Sequence, residues 1–337
     1  SENYMFRKFM IDSAKFWATE YKLGGFRFDL MGLHDLTTMN TLTAAVKEAT
    51  FDNFTIYGEP WTGGSTPLTD GAVQDSISKY EGYGAFNDLM RDALIKGGLN
   101  PTSAHGWAMV SGTDKVAAAD AKAIVNGIKG WTSNGTATKS KDPNKAVQYA
   151  SCHDNYTLFD RMTVGYSKDG GKTTTAPSDL LHYGPTLANG LALLSSGTSF
   201  MLGGEEFLRT KTKEDGTKDG NSYNASYEEN AFDYALLMEN QDVYSFYKNL
   251  IAHKVGNGAL QQDETGASAL SVEALNDNNV ITYTYGNYTV YARNGLDLDD
   301  ATVDLNGRVA FTNYGEASTS GNKLTLRPYE FVVIANS

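Results

Sequence analysis

The sequence predicts an α/β unit followed by an all-β unit, and three observations lead to that reading. Strand and helix patterns alternate as far as about residue 253. Two of the strands end at Asp29 and Glu59, which lie 30 residues apart (59 − 29), about the length of one βαβ unit. Beyond His253 the pattern changes to short strands separated by turns rich in Asn, Gly and Asp.

The elements follow in order. Phe6, Phe9, Met10, Phe16, Trp17 and Tyr21 recur at helical spacing, and Gly24-Gly25 stops that helix. Residues 26–29 alternate as a strand. Met39, Leu42 and Val46 mark a helix, and residues 54–59 the next strand. A strand is expected over 83–86, with a helix through Leu89, Ala93 and Leu94. Residues 97–144, rich in Gly, Ser, Thr and Lys, read as loop with a short helix. Strands follow at 147–150 and 199–202, separated by an apolar helix over 180–194. Val243, Phe246, Tyr247, Leu250 and Ile251 form a last amphipathic helix. Repeating strand–helix units of this kind predict a parallel sheet.

In the second unit, residues 280–285, 288–292, 310–311 and 330–334 read as strands, with turns at Asp277-Asn278-Asn279, Gly286-Asn287 and Asn306-Gly307. No long helix is expected there. Residues 259–337 are therefore read as a C-terminal antiparallel β-sandwich. Residues 1–258 supply about five parallel strands, whereas a closed (β/α)8 TIM barrel has eight. The expectation is the C-terminal portion of such a barrel, about strands 4 to 8, with three strands upstream of Ser1. The chain opens almost directly in a helical pattern, with no signal peptide, which suggests a piece of a longer protein.

The 337 residues carry a net charge of −12, which argues against nucleic acid, because phosphates would be repelled. A neutral ligand such as a sugar is compatible. Aromatic residues make up 12% of the chain, and such rings can serve sugars as stacking platforms. Cys152 is the one cysteine, so neither an internal disulfide nor a cysteine-based metal site can form. No apolar run approaches the roughly 20 residues that would span a bilayer.

Three strand ends carry acids: Asp29, Glu59 and Asp154. Pro60 biases Glu59 to an extended conformation. In a parallel barrel, side chains at the carboxyl ends of strands converge on one face. Three carboxylates meeting there repel one another, an arrangement that is costly without a role. Glycoside hydrolysis supplies one, with one carboxylate attacking the anomeric carbon and a protonated one donating to the leaving oxygen. Arg27, two residues before Asp29, faces the same side as that acid. It is expected to hold Asp29 ionised while Glu59 keeps its proton.

At this point the residues resemble a known family. Gly24-Gly25-Phe26-Arg27-Phe28-Asp29-Leu30-Met31-Gly32 resembles the nucleophile motif of the α-amylase superfamily. Tyr57-Gly58-Glu59-Pro60-Trp61-Thr62-Gly63-Gly64 is similar to the acid/base segment of type I pullulanases. Ser151-Cys152-His153-Asp154-Asn155-Tyr156-Thr157-Leu158 looks like the segment of the third carboxylate. Residues 203–211 and 221–224 resemble the pullulanase pattern after the last barrel strand. The resemblance reaches to about residue 253. It implies Asp29 as nucleophile, Glu59 as general acid/base and Asp154 as transition-state stabiliser, with Arg27, His153, Trp61 and Asn155 as substrate-binding residues.

The implied activity is retaining hydrolysis of α-1,6-glucosidic bonds in pullulan, starch or glycogen. An α-1,4-acting amylase, an amylopullulanase and a non-catalytic α-glucan binder are the alternatives. The implied partners are an α-glucan and the N-terminal half of the barrel, and the implied location is extracellular or at a bacterial cell surface. No cofactor and no catalytic metal are implied. Structural calcium occurs in the family, but the sequence does not place its oxygen ligands. The family's Asn-His segment and its Tyr-Asn-Trp-Gly-Tyr-type stretch, both upstream in the barrel, have no counterpart here.

Overall fold

The computed structural model describes residues 1–98, 104–260, 264–296 and 300–337. Helix α1 (Tyr4–Glu20) is capped by Asn3, whose side chain accepts from the Met5 N–H at 3.1 Å. Strand β1 (Gly25–Phe28) leads through a turn into α2 (Leu36–Ala49), capped by Asp35, and then into β2 (Thr55–Gly58). Strand β3 (Gly84–Phe86), helices α3 (Asp88–Ile95) and α4 (Ala118–Ile128), and strand β4 (Ala146–Gln148) follow. Helices α5 (Leu158–Gly165) and α6 (Ser178–Leu193), strand β5 (Thr198–Ser199) and helix α7 (Gln241–Gly256) complete the series.

The five strands form one parallel sheet in the order β1-β2-β3-β4-β5. Spatial order equals chain order, with no reversal. An open doubly wound sheet would switch direction at its centre, whereas strands added always on the same side curl into a barrel wall. This sheet is a half-barrel. Its inner face carries Tyr57, Phe86, Val147, Tyr149 and Phe200. Among the described residues, β1 and β5 each pair with one neighbour in this sheet.

Helix α1 makes its buried contact mostly through residues outside the aromatic stripe. Met10, Ile11, Ala14 and Ala18 pack toward α2. The aromatic stripe of Phe6, Phe9, Phe16, Trp17 and Tyr21 is exposed. Helical spacing reports that a stripe exists, and here the small and aliphatic residues make the contact. Helix α5 falls where the sequence reading assigns no element, and Thr157 caps it by accepting from the Asp160 N–H at 3.1 Å. Strand β5 stops at Ser199, short of residue 202.

From Val272 onward the chain forms two antiparallel sheets, and Gly295–Leu296 pairs in parallel with Ser111–Gly112. Strands β6 (Val272–Leu275), β7 (Val280–Tyr285), β8 (Tyr288–Arg293), β10 (Gly307–Thr312) and β13 (Phe331–Asn336) form one sheet in the order β10-β13-β8-β7-β6. Strands β9 (Ala301–Asp304), β11 (Ser318–Ser320) and β12 (Lys323–Leu326) form a second, in the order β9-β12-β11. Val280, Val332 and Ile334 of the first share an apolar cluster with Leu324 and Leu326 of the second. A short helix, Glu264–Ala269, precedes β6.

One large apolar cluster joins α3, α4, α6 and α7 to β7, β8 and β13. At its centre α6 lies directly on Phe331. A Cβ added to Gly190 would meet that ring at 2.7 Å, so only glycine allows the approach. Phe331 is fully buried. Phe331→Ala is expected to lower stability by about 3–5 kcal/mol, read as a shift in the denaturant midpoint. A loss under about 1 kcal/mol would show that the two units do not depend on this contact.

Candidate active site

The site begins with register. β1 and β2 are aligned so that Phe28 pairs with Gly58, and the next residue on each strand is Asp29 and Glu59. The Glu59 N–H donates to the Phe28 carbonyl at 3.0 Å, which fixes that level. Close packing requires Gly58, since a Cβ there would lie 2.8 Å from both Met31 Sδ and the Phe28 carbonyl oxygen. After Asp29 the chain turns sharply at Leu30, which takes a left-handed conformation (φ 41°, ψ 48°). Such a conformation is costly for a side chain of this size. It aims the Leu30 N–H at Glu59 Oε2, 2.7 Å away.

Arg27 joins the two acids. One guanidinium nitrogen donates to Asp29 Oδ1 at 2.6 Å, and another donates to Glu59 Oε1. The sequence places Arg27 beside Asp29, and the structure adds Glu59 to the same fork. The environments of the two acids differ widely: Glu59 is 3% exposed, whereas the Asp29 side chain is 72% exposed.

The third strand end supplies the loop from Ser151 to Thr157. His153 Nε2 lies 3.6 Å from Asp154 Oδ2, and His153 Nδ1 lies 3.1 Å from Cys152 Sγ. Burial raises the Cys152 thiol above its ordinary range, which keeps it neutral. Atoms of Glu59, His153 and Asp154 all come within 4.8 Å of one another, so Asp154 faces the Glu59 end of the site. That donor set could also hold a divalent cation, at the cost of occupying the buried acid. Asn155 has φ 64°, and its Oδ1 is buried without a hydrogen-bond partner among the described residues.

A cleft of about 380 Å³ opens on the Glu59 and Asp154 side of the site; Arg27, Asp29 and His153 are not among its lining residues. Glu59, Trp61, Asp154 and Asn155 line it, as do Phe86, Asp88, Arg91 and Tyr149, which the sequence reading left out. Asp88 accepts from the Tyr149 hydroxyl and pairs with Arg91 at 3.2 Å. Burial pushes the Asp88 carboxyl up, and the Arg91 charge and the Tyr149 hydrogen bond oppose that rise. Asp88 lies two residues past β3, after Asn87, and opens α3. The strand-end rule applied to β3 lands on Asn87, so it does not find Asp88. The cleft thus joins the carboxylates of Glu59, Asp88 and Asp154 to the Arg91 guanidinium beside aromatic rings. It suits a neutral, hydroxyl-rich ligand and proton transfer to it.

No family model matches the chain. A curated pullulanase from Bacillus subtilis (strain 168) is 31% identical over 266 residues, which is 77% of this chain and 34% of that protein. Pullulanase A from Streptococcus pneumoniae serotype 4 is 27% identical over 340 residues, covering 89% of this chain and 24% of that protein. Among solved structures, a pullulanase from Anoxybacillus sp. LM18-11 complexed with maltotetraose superposes with a TM-score of 0.82 at 26% identity, over 100% of this chain and 47% of that one. A mutant pullulanase from Paenibacillus barengoltzii complexed with maltotetraose gives 0.83 at 27% identity, over 100% and 51%. The chain spans about a quarter to a third of the length of these curated relatives and about half of these solved chains. Aligned strand-end acids, a half-barrel sheet and relatives that agree over most of the sequence lead to one family: the chain is a pullulanase-like member of the α-amylase superfamily.

Proposed function

We propose that the chain carries the catalytic carboxylates of a retaining glycoside hydrolase that cleaves α-1,6-glucosidic bonds in pullulan, starch or glycogen. The observation that supports it best is the pairing of Asp29 and Glu59, one residue past two adjacent strands and on one Arg27 fork. In this reading an Asp29 carboxylate oxygen attacks the anomeric carbon. The bond from that carbon to the leaving O6 breaks, its electron pair stays on O6, and the Glu59 proton goes to O6. Water then attacks the same carbon, its proton passes to Glu59, and the bond to Asp29 breaks. Asp154 stabilises the positive charge that develops on the sugar. Arg27, His153, Trp61 and Asn155 bind the sugar. A protonated Glu59 has less to gain from a guanidinium than a carboxylate has, so productive binding parts Glu59 from Arg27.

The reading includes an architecture. Residues 1–258 are part of a (β/α)8 barrel completed by an N-terminal half, and residues 259–337 are a β-sandwich domain. The single-partner edge strands and the exposed α1 aromatics support the first. The apolar cluster shared by two antiparallel sheets supports the second. An extracellular or cell-surface location belongs to the same reading for a polymer too large to enter a cell, with a cytoplasmic location as the alternative where the substrate is stored glycogen.

The products formed from pullulan by the complete enzyme test it. Maltotriose is expected. Panose would mean that α-1,4 bonds are cut, and binding without any product would mean a glucan-binding protein.

A further inference from the structure

We propose that Glu205 and Lys211, on the segment after β5, are positioning residues that hold the His153–Asp154–Asn155 stretch in register with Glu59. The inference rests on the hydrolase reading and deepens it. Both side chains are almost wholly buried, at 0% and 2% exposed. A buried acid and a buried ammonium are costly unless hydrogen bonds compensate them.

These two spend their hydrogen bonds on one loop. Glu205 Oε1 accepts from the Ser151 hydroxyl at 2.6 Å and from the Leu158 N–H at 3.1 Å, the two ends of the stretch. Lys211 Nζ donates to the carbonyls of Asn155 at 2.8 Å and His153 at 3.3 Å, in its middle. Those carbonyls flank Asp154, so its backbone is fixed from both sides. The loop has no regular ladder of its own, and Asn155 sits in the left-handed region. An outside clamp offsets the cost of that conformation.

The clamp is itself anchored. Buried Asp160 on α5 accepts from the Lys211 N–H at 2.7 Å and from the Thr210 hydroxyl at 2.5 Å. Burial pushes the Glu205 carboxyl up to about 7, and its Oε2 has no hydrogen-bond partner among the described residues. A glutamine there keeps an oxygen acceptor for Ser151 and Leu158 and places an amide where the acid carries its proton.

The test uses the complete enzyme and pullulan, with variants Lys211→Met, Glu205→Leu and Glu205→Gln. Misplacing a reacting group by about 1 Å can cost about 10²-fold. Lys211→Met and Glu205→Leu are each expected to lose about 10²-fold in kcat with KM within a few-fold. Glu205→Gln is expected to retain most of kcat. Far-UV circular dichroism and melting well above the assay temperature define the folded variants. Should Lys211→Met not fold, Lys211→Arg, which keeps the charge with altered reach, is read in its place and is expected to fall between wild type and the 10²-fold loss. A folded Lys211→Met or Glu205→Leu with kcat within twofold of wild type overturns the clamp. So does a Glu205→Gln loss as large as that of Glu205→Leu. A wild-type enzyme that releases no sugar from pullulan overturns the hydrolase reading instead.

Discussion

Replacing Asp29 by Asn in the complete enzyme is expected to lower pullulan hydrolysis by at least about 10⁴-fold, the scale seen when a member of a catalytic unit is removed. The amide cannot form the covalent glycosyl intermediate on which retention depends. Its exposed position beyond β1 makes a folding defect an unsuitable explanation, since no buried contact is lost. Glu59→Gln should behave differently. General-acid assistance contributes about 10²–10⁴-fold, and a substrate with a very good leaving group needs little of it. The loss should therefore be large on pullulan and small for bond cleavage in an activated α-glucoside. Equal losses on both substrates would contradict the acid assignment. An Asp29→Asn enzyme that keeps a tenth of its activity would remove the nucleophile from Asp29.

Much of this site can be read from the chain because it depends on local rules. A short alternating run fixes where a strand ends, and barrel geometry then says which way the last side chain faces. Asp29 and Glu59 follow from that logic, whereas Asp154 lies beyond the end of β4 on an irregular loop, and the cleft gathers Glu59 and Asp154 with Trp61 and Asn155. Asp88 escapes the rule, because it lies two residues past β3 in the first turn of α3.

Glu205 and Lys211 were not legible as site residues. Their partners are 47 to 58 residues away in sequence, and nothing in a run of Gly, Glu and Phe reports burial. The strands Val272–Leu275, Ala301–Asp304, Ser318–Ser320 and Lys323–Leu326 were missed for a related reason. They are short edge or second-layer strands, stabilised by pairing rather than by their own propensity. Helix α1 shows the opposite case, a strong stripe whose large residues face outward.

That outward stripe leads to the second large effect. Residues 1–337 expressed by themselves are expected to be poorly soluble and to release little or no sugar from pullulan, and adding the N-terminal half of the barrel, fused or as a separate chain, should restore both. Strands β1 and β5 each present an edge, and unpaired edges recruit other chains. Phe6, Phe9, Phe16, Trp17 and Tyr21 on α1, with Tyr223, Tyr227 and Tyr234 after β5, add exposed aromatic surface near the two ends of the sheet. Patches of that kind mark a surface made to be covered. The Asp29 side chain is itself largely exposed, so a sugar bound there would lack walls to position it and exclude water. The measurements are light scattering with a dye that binds apolar surface, and reducing-sugar release, each with and without the added half. A soluble, monomeric 1–337 that hydrolyses pullulan as fast as the reconstituted enzyme would mean that five strands suffice, and that the exposed aromatics serve some purpose other than closing a barrel.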